Sequence, residues 1–292
     1  MNDASPHQQN IGRGIVLMLI AVGLFVVMDT TAKYLSQSYS VLEVMWARYL
    51  FHALTLVVFL RKRLIFTLRT ERPLLQLLRS TTLLAGTGFF VFGISFIPLA
   101  DASAIFFLAP ILVTALSMPL LGERVGLRRW IGVLIGFIGA AIVIRPGTGM
   151  MNVGSLLILA AAFVYAIYMI TTRVLNRTDS ALTTTVYSSV VGTVACCIAA
   201  PFVWVMPDAK SWALMVMLGI LGAISHYILI LSFRYAPAAV VSPFDYSRLI
   251  WSVLFGVIIF GDIPDVWTIV GALVIAASGL YILHREQKVG SD

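Results

Sequence analysis

The chain is short of charge. Of its 292 residues only 11% are Asp, Glu, Lys or Arg, against about 25% in an ordinary soluble domain. Hydrophobic residues make up 60%, which excludes a water-exposed globule and leaves a polytopic membrane protein. The four histidines never fall in a His-Glu-x-x-His pattern, which excludes the usual zinc-protease helix. The two cysteines, Cys196 and Cys197, are adjacent within an apolar run, so no disulfide framework is expected. No Walker A loop is present, so ATP is not expected to drive the protein. "FGDIPD" lacks the Gly-x-Gly-Asp of presenilin-like proteases. "AASG" (276–279) is one residue from a rhomboid-like Gly-x-Ser-Gly, but His284 lies at the membrane edge, away from it. An enzyme, a cofactor and a metal site are therefore not expected. A sensor or scaffold would usually add a soluble domain, and only residues 61–73 exceed the common bundle connection of about 2–8 residues.

What is present is a series of long apolar runs. A spanning helix needs about 20 such residues. Ten spans are predicted, at 14–35, 41–60, 74–97, 100–121, 128–145, 153–173, 180–204, 211–235, 239–261 and 266–284. Two of the boundaries rest on single prolines, Pro98 in "ISFIPLADASA" and Pro237 in "FRYAPAAVV". The runs are continuous rather than alternating, so helices are favoured over barrel strands. Arg13 precedes a run too long for a signal-peptide core, so no cleavable signal is expected.

The net charge of +7 does not call for nucleic acid, because topology accounts for it. With a cytoplasmic N-terminus, fifteen cations fall inside, Arg79 counted among them, and three outside: Lys33, Arg145 and Lys210. Arg48 and Arg248 remain within spans. The positive-inside rule thus places both termini in the cytoplasm.

The chain also repeats. At an offset of 140, Gly14 meets Gly154, Ala21 meets Ala161, Thr31 meets Thr171, Leu35 meets Leu175 and Lys33 meets Arg173. At an offset of 139, Pro98 meets Pro237, Ser103 meets Ser242, Gly122 meets Gly261, Glu123 meets Asp262 and Gly132 meets Gly271. Two halves follow, 14–150 and 151–285, flanked by tails 1–13 and 286–292. Five spans per half make the second half enter from the opposite side. The fold expected is an all-α membrane protein of ten transmembrane helices in two inverted five-helix repeats, an architecture of secondary transporters with a site between the halves.

"TALSMPLLGERVGLRRWIGVLIGFIGAAIVI" (114–144) and "VLFGVIIFGDIPDVWTIVGALVIAASGLYIL" (253–283) each run from an apolar helix through Gly-Glu or Gly-Asp into a Gly-rich helix. With "VMWARYLFHAL" (44–54), they resemble the EamA domain of the drug/metabolite transporter superfamily over essentially the whole chain. The resemblance implies two inverted five-helix halves around a central cavity in a bacterial inner membrane. Within the superfamily, "DTTAKYLSQSYSVLEVMWARYL" (29–50) and "RPLLQLLRS" (72–80) look most like S-adenosylmethionine and riboflavin transporters, and amino-acid exporters share the fold. The implied partner is a small-molecule metabolite in a lipid bilayer. One chain holds a complete pathway, which leaves a homodimer open.

Ionisable groups within spans cost about 2.5–3.5 kcal/mol on insertion scales and face the bundle interior. Asp29 and Lys33 share a face of the first span, and Glu43 and Arg48 open the second from the same side. These four are expected to form one outer charge network, either fastening the two spans or serving substrate. Arg48, about 10 Å from the outer end, suits a carboxylate or phosphate-like anion. Asp245 and Arg248, three apart on the ninth span, are expected to pair and to face the cavity, where an entering zwitterion splits or bridges them. Tyr246 and Trp251 flank the pair. Trp46 with Tyr49, and Tyr165 with Tyr168, are candidate walls for a planar ring or a sulfonium. Trp204, Trp212 and Trp267 read as interfacial anchors. His52, His226 and Asp29 are candidates for proton coupling, the histidines because imidazole titrates near neutral pH. Pro110, Pro119 and Pro243 mark potential kinks.

Overall fold

The computed structural model describes residues 10–61, 67, 69–121, 127–146, 152–175, 178–236 and 241–289. Among the described residues every regular element is helical. In chain order they are α1 (Ile11–Leu35), α2 (Val41–Leu60), α3 (Pro73–Phe96), α4 (Leu99–Phe106), α5 (Leu108–Leu121), α6 (Leu127–Ile144), α7 (Val153–Leu175), α8 (Ala181–Ala199), α9 (Ala209–Tyr235), α10 (Arg248–Phe255) and α11 (Val266–Val289). Eight helices are long and apolar enough to cross a membrane, with α4 and α5 counted as one, Leu99–Leu121. The apolar part of α6, Trp130–Ile144, is shorter. The remaining segment, around α10, is interrupted. Ten helical segments result, two of them less regular than the sequence predicts.

Local chemistry explains the boundaries. The turn expected at Pro98 is there: α3 ends at Phe96, and Pro98, extended at φ −54° and ψ 146°, is the N-cap of α4. The fourth span breaks again at Phe107, three residues before Pro110, which has no N–H to offer the preceding turn. Pro119 lies within α5. Asp208 caps α9, its side chain accepting from the Ser211 N–H at 2.7 Å. That bond holds the Asp208 carboxyl below its usual range. The predicted break at Pro237 lies outside the described residues.

The ninth span is not one continuous α-helix. Ser242–Ser247 winds as a 3-10 helix, Arg248–Phe255 as α, and Gly256–Phe260 as π. Proline in the first turn starts the 3-10 stretch, and the π stretch ends at Gly261 in the left-handed region, φ +72°.

The packing pairs the two halves. The first span lies on the eighth (α1 on α9), the third on the sixth (α3 on α7), the second on the seventh (α2 on α8) and the fifth on the tenth (α6 on α11). Exchanging each span of the first half with its counterpart in the second turns the first two pairings into one another and the last two into themselves. Small residues make the close approaches. A Cβ built on Gly14 would lie 2.5 Å from the Ala236 Cβ and 3.3 Å from the Ser232 carbonyl oxygen. One built on Gly154 would lie 2.9 Å from the Gly93 carbonyl oxygen. In the offset register of the repeat these are the same contact. On the fifth and tenth spans, a Cβ on Gly271 would meet the Gly139 carbonyl at 2.7 Å, and Ser278 Oγ donates to the Gly132 carbonyl at 2.6 Å. Helices in lipid associate through close packing of this kind, because apolar burial alone gives little drive there.

Gly154→Val should therefore overpack the α3–α7 seam and destabilise the fold by about 1–3 kcal/mol, seen as a lowered thermal midpoint of the purified protein. Gly12→Ala, whose added Cβ meets only Asn10 at 3.7 Å, should leave the midpoint where it is.

Candidate substrate site

Three ionisable side chains meet where the first, second and ninth spans converge. Arg248 Nη1 donates to Asp29 Oδ2 at 2.9 Å, and Arg48 Nη1 stands 4.0 Å from Asp29 Oδ1. All three are largely shielded, with side-chain exposures of 13%, 6% and 16% for Arg248, Asp29 and Arg48. One carboxylate thus faces two guanidiniums. Asp29 gives its better bond to Arg248, and Arg48, held at the limit of ion-pair distance, keeps its donors without a hydrogen bond.

This corrects two expectations. Asp245 does not pair with Arg248: among the described residues it makes no ion pair or hydrogen bond, although it stays close enough to feel the Arg248 charge. The carboxylate presented across the helix interface by α1 takes the guanidinium instead. The outer network of four also divides. Lys33 reaches away from Asp29 to the Ile97 carbonyl at 2.8 Å and to Asp262 at 3.1 Å. Glu43 accepts from the Val205 backbone N–H at 3.2 Å. Only Asp29 and Arg48 stay together.

An aromatic ladder runs from this charged centre. The Arg248 guanidinium lies 5.9 Å from the Phe25 ring and 6.0 Å from the Phe106 ring. Phe106 is 5.2 Å from Tyr165, and Tyr165 is 5.2 Å from Tyr168. The rings of Tyr165 and Tyr168, three apart on α7, lie in contact. At the far end Arg79 lies over the Tyr168 ring at 4.6 Å and donates to its hydroxyl at 2.8 Å. Arg79 also donates to Thr172 Oγ1, Ser188 Oγ and the Thr184 carbonyl, at 2.7, 2.7 and 2.8 Å. It is 4% exposed and among the described residues has no carboxylate partner, its hydrogen bonds going to neutral acceptors. Reading the sequence by charge count placed Arg79 with the cytoplasmic cations. Its position seven residues into α3, in a predicted span, is the signal that marked it as interior.

The two histidines come together behind Phe25. Phe25 meets His226 edge-on at 4.9 Å, and the His226 and His52 rings are 5.7 Å apart. His226 Nδ1 lies 2.8 Å from the Gly222 carbonyl, an acceptor, so Nδ1 carries the proton. His52 Nε2 is buried without a partner.

Four of the predicted site residues lie elsewhere. Trp46 joins Trp204 and Trp212 in a separate aromatic group. Tyr49 turns to α8, where its ring covers Gly192, and its hydroxyl bonds Thr87 Oγ1 at 3.2 Å. Tyr246 inserts against Gly279 of α11 and meets Phe107 at 4.9 Å. Trp251 packs on Gly23 of α1 and stacks on Phe255.

The predicted outer face is bolted across the halves. Lys33 Nζ bridges the Ile97 carbonyl and Asp262, Arg145 pairs with Asp265, and Thr268 Oγ1 donates to Asp101 at 2.7 Å. Against the upward push of partial burial, the bonds from Thr268 and Arg145 hold the Asp265 carboxyl below its ordinary value, so the Arg145–Asp265 pair stays charged at neutral pH.

Comparison with known proteins places this geometry. The EamA-like transporter family matches the chain twice, at residues 12–145 and 152–283. The chain belongs to the EamA-like transporter family. Its two EamA repeats divide the site between them: Asp29, Arg48, Arg79 and Phe106 come from the first, Tyr165, Tyr168, His226, Asp245 and Arg248 from the second. An S-adenosylmethionine uptake transporter of Rickettsia prowazekii is 28% identical over 99% of this chain and 97% of its own length. A riboflavin transporter of Vibrio cholerae is 29% identical over 94% of each chain. A pseudopaline exporter of Pseudomonas aeruginosa is 24% identical over 94% of this chain and 97% of its own. A crystal structure with 16% identity matches the fold at a TM-score of 0.65, over 95% of this chain and 99% of that one.

Asp29→Asn should leave two buried guanidiniums without their ion-pair partner and destabilise this EamA protein by about 3–5 kcal/mol. Asp29→Asn combined with Arg248→Gln should recover part of that loss in a thermal-midpoint double-mutant cycle. Additive midpoints would show that the two side chains do not couple.

Proposed function

We propose that the chain is a secondary transporter of the bacterial inner membrane, moving a zwitterionic metabolite that carries a planar ring by alternating access of two inverted halves. The observation that carries this reading is the imbalance of pairing at the repeat interface. Arg48 has donors to spare, Asp245 has no partner, and an aromatic ladder adjoins them. An amino-acid group fits that set: its carboxylate to the guanidinium fork of Arg48, its ammonium to Asp245. A ring stacks along Phe106, Tyr165 and Tyr168. S-adenosylmethionine, named for several relatives, has both parts. Riboflavin, named for others, has the ring without the zwitterion.

The clasp of Lys33 with Asp262 and Arg145 with Asp265 joins the halves on the predicted outer face. In the proposed cycle this conformation is closed to the outside, and the clasp parts when the site opens there. The repeat symmetry of the helix pairings supports inverted halves, and the charge distribution supports cytoplasmic termini.

The test is uptake into proteoliposomes of labelled S-adenosylmethionine, riboflavin and several amino acids, each with and without a pH gradient. Saturable S-adenosylmethionine uptake is expected, with Arg248→Ala abolishing it at near-normal expression. Normal transport by Arg248→Ala would remove the proposed site. Saturable uptake of riboflavin alone would make the ladder, and not the zwitterion set, the determinant. The gradient arm tests proton coupling through His52, His226 and Asp29: stimulation by the gradient, lost in His52→Gln and His226→Gln, is the positive result.

A further inference from the structure

Three indoles group away from the charged centre. Trp46 of α2 meets Trp204, beyond the end of α8, at 4.9 Å and 89°. Trp212, in the first turn of α9, lies 6.2 Å from each of them. Two of these rings set at a right angle form a corner. Beside them is a cavity of about 390 Å³, lined by Trp46, Trp204, Cys197, Ala200 and Pro201. That is within the ~300–1,000 Å³ range of small-molecule sites.

A carboxylate sits next to this corner. Glu43 precedes Trp46 by three residues and so shares its face of α2. Its Oε2 accepts from the N–H of Val205, the residue after Trp204. Its Oε1 is buried with no hydrogen-bond partner, and Glu43 as a whole is 0% exposed. Among the described residues no Lys, Arg or His pairs with it: Lys210, on the same predicted outer side, is spent on the Tyr34 hydroxyl at 2.8 Å. A buried carboxylate oxygen without a partner is costly, and a cation nearby offsets that cost.

We propose that this cavity binds a methylated onium cation, a sulfonium or quaternary ammonium, on the faces of Trp46 and Trp204 with Glu43 as the countercharge behind them. Indole faces attract such cations through the ring quadrupole. The lining selects methylated over simple ammonium ions. It consists of indoles, a thiol, an alanine and a proline, with no carboxylate or amide side chain to accept N–H bonds. A cation that presents only C–H groups loses nothing there, whereas a primary ammonium loses its hydrogen bonds to water. Trp46 and Arg48 are two residues apart and point to different faces of α2, so this is a second site and not an extension of the zwitterion site. The onium group comes either from a free metabolite or from a choline-type lipid headgroup. A role as first contact for a sulfonium substrate rests on the transport reading above; the binding itself does not.

The experiment titrates the purified full chain, in maltoside detergent at constant ionic strength, with trimethylsulfonium, tetramethylammonium and ammonium, following indole fluorescence. Saturable change is expected for the two methylated ions, with ammonium weaker by on the order of tenfold. Trp204→Leu and Glu43→Gln should each weaken the methylated ions by a similar factor, while Trp204→Phe retains most of the binding and Trp267→Leu all of it. Thermal midpoints of the same samples establish that the variants are folded. Equal response to all three ions, or binding indifferent to Trp204→Leu and Glu43→Gln, overturns the proposal. Two further arms identify the source. Weaker apparent binding in phosphatidylcholine than in phosphatidylethanolamine vesicles, both zwitterionic, assigns the cage to a headgroup. Competition by S-adenosylmethionine but not by S-adenosylhomocysteine, which lacks the sulfonium, assigns it to a metabolite. Onium binding with no metabolite uptake refutes the transport reading alone; uptake with no onium binding refutes this proposal alone.

Discussion

A carboxylate removed from water must be neutralised, and at Asp29 the neutralising groups come from both halves of the chain. Arg248 belongs to the second EamA repeat and Arg48 to the first. The first, second and ninth spans can approach only because this shared charge is satisfied between them. Removing Asp29 takes the ion-pair partner from two cations in a low-dielectric interior, where the penalty is several kcal/mol per ion. The cluster is therefore a structural requirement as well as a chemical opportunity. Arg48 stands off at 4.0 Å, so the two cations do not share Asp29 equally.

Around that centre the fold depends on contacts that have little to do with apolar burial. Gly14 on Ser232 and Ala236, Gly154 on Gly93, and Gly139 on Gly271 let backbones meet at distances a side chain would forbid. These seams lie along pairings that interchange when the halves are exchanged. The same register that aligns Gly14 with Gly154 in sequence aligns their contacts in space. That places the charged cluster and the aromatic ladder on the boundary between repeats, where a relative movement of the halves has most effect.

The helical segments, the turn at Pro98 and the repeat were legible in the sequence because each rests on local chemistry: apolar length, a missing N–H, a recurring glycine. The contact of the Tyr165 and Tyr168 rings was legible for the same reason, the two being three apart on one helix. The pairing of charges was not. Asp29 and Lys33 satisfy the favourable helical spacing, yet Lys33 finds Asp262 and the Ile97 carbonyl, which are distant in sequence and close in space. Asp245 and Arg248 fail in the same way, because a carboxylate offered across a helix interface outcompeted the one three residues away. Arg79 was sorted by position along the chain, and charge counting carries no information about burial. Trp46 and Tyr49 also share a helical spacing, but glycine decided where the tyrosine went: the bare surface at Gly192 accommodates its ring.

The ninth span is wound at three different pitches. Its first six residues, Ser242–Ser247, form a 3-10 turn directly before Arg248, and a π stretch follows α10. A 3-10 helix rises about 2.0 Å per residue against 1.5 Å for an α-helix, and advances about 120° per residue against 100°. Rewinding those six residues as α would shorten the segment by about 3 Å and turn whatever follows it by about 120°. Arg248 is the first residue that would ride on that screw. Such a rewinding would draw the guanidinium off Asp29 while the hydrogen bonds of α10 stayed intact.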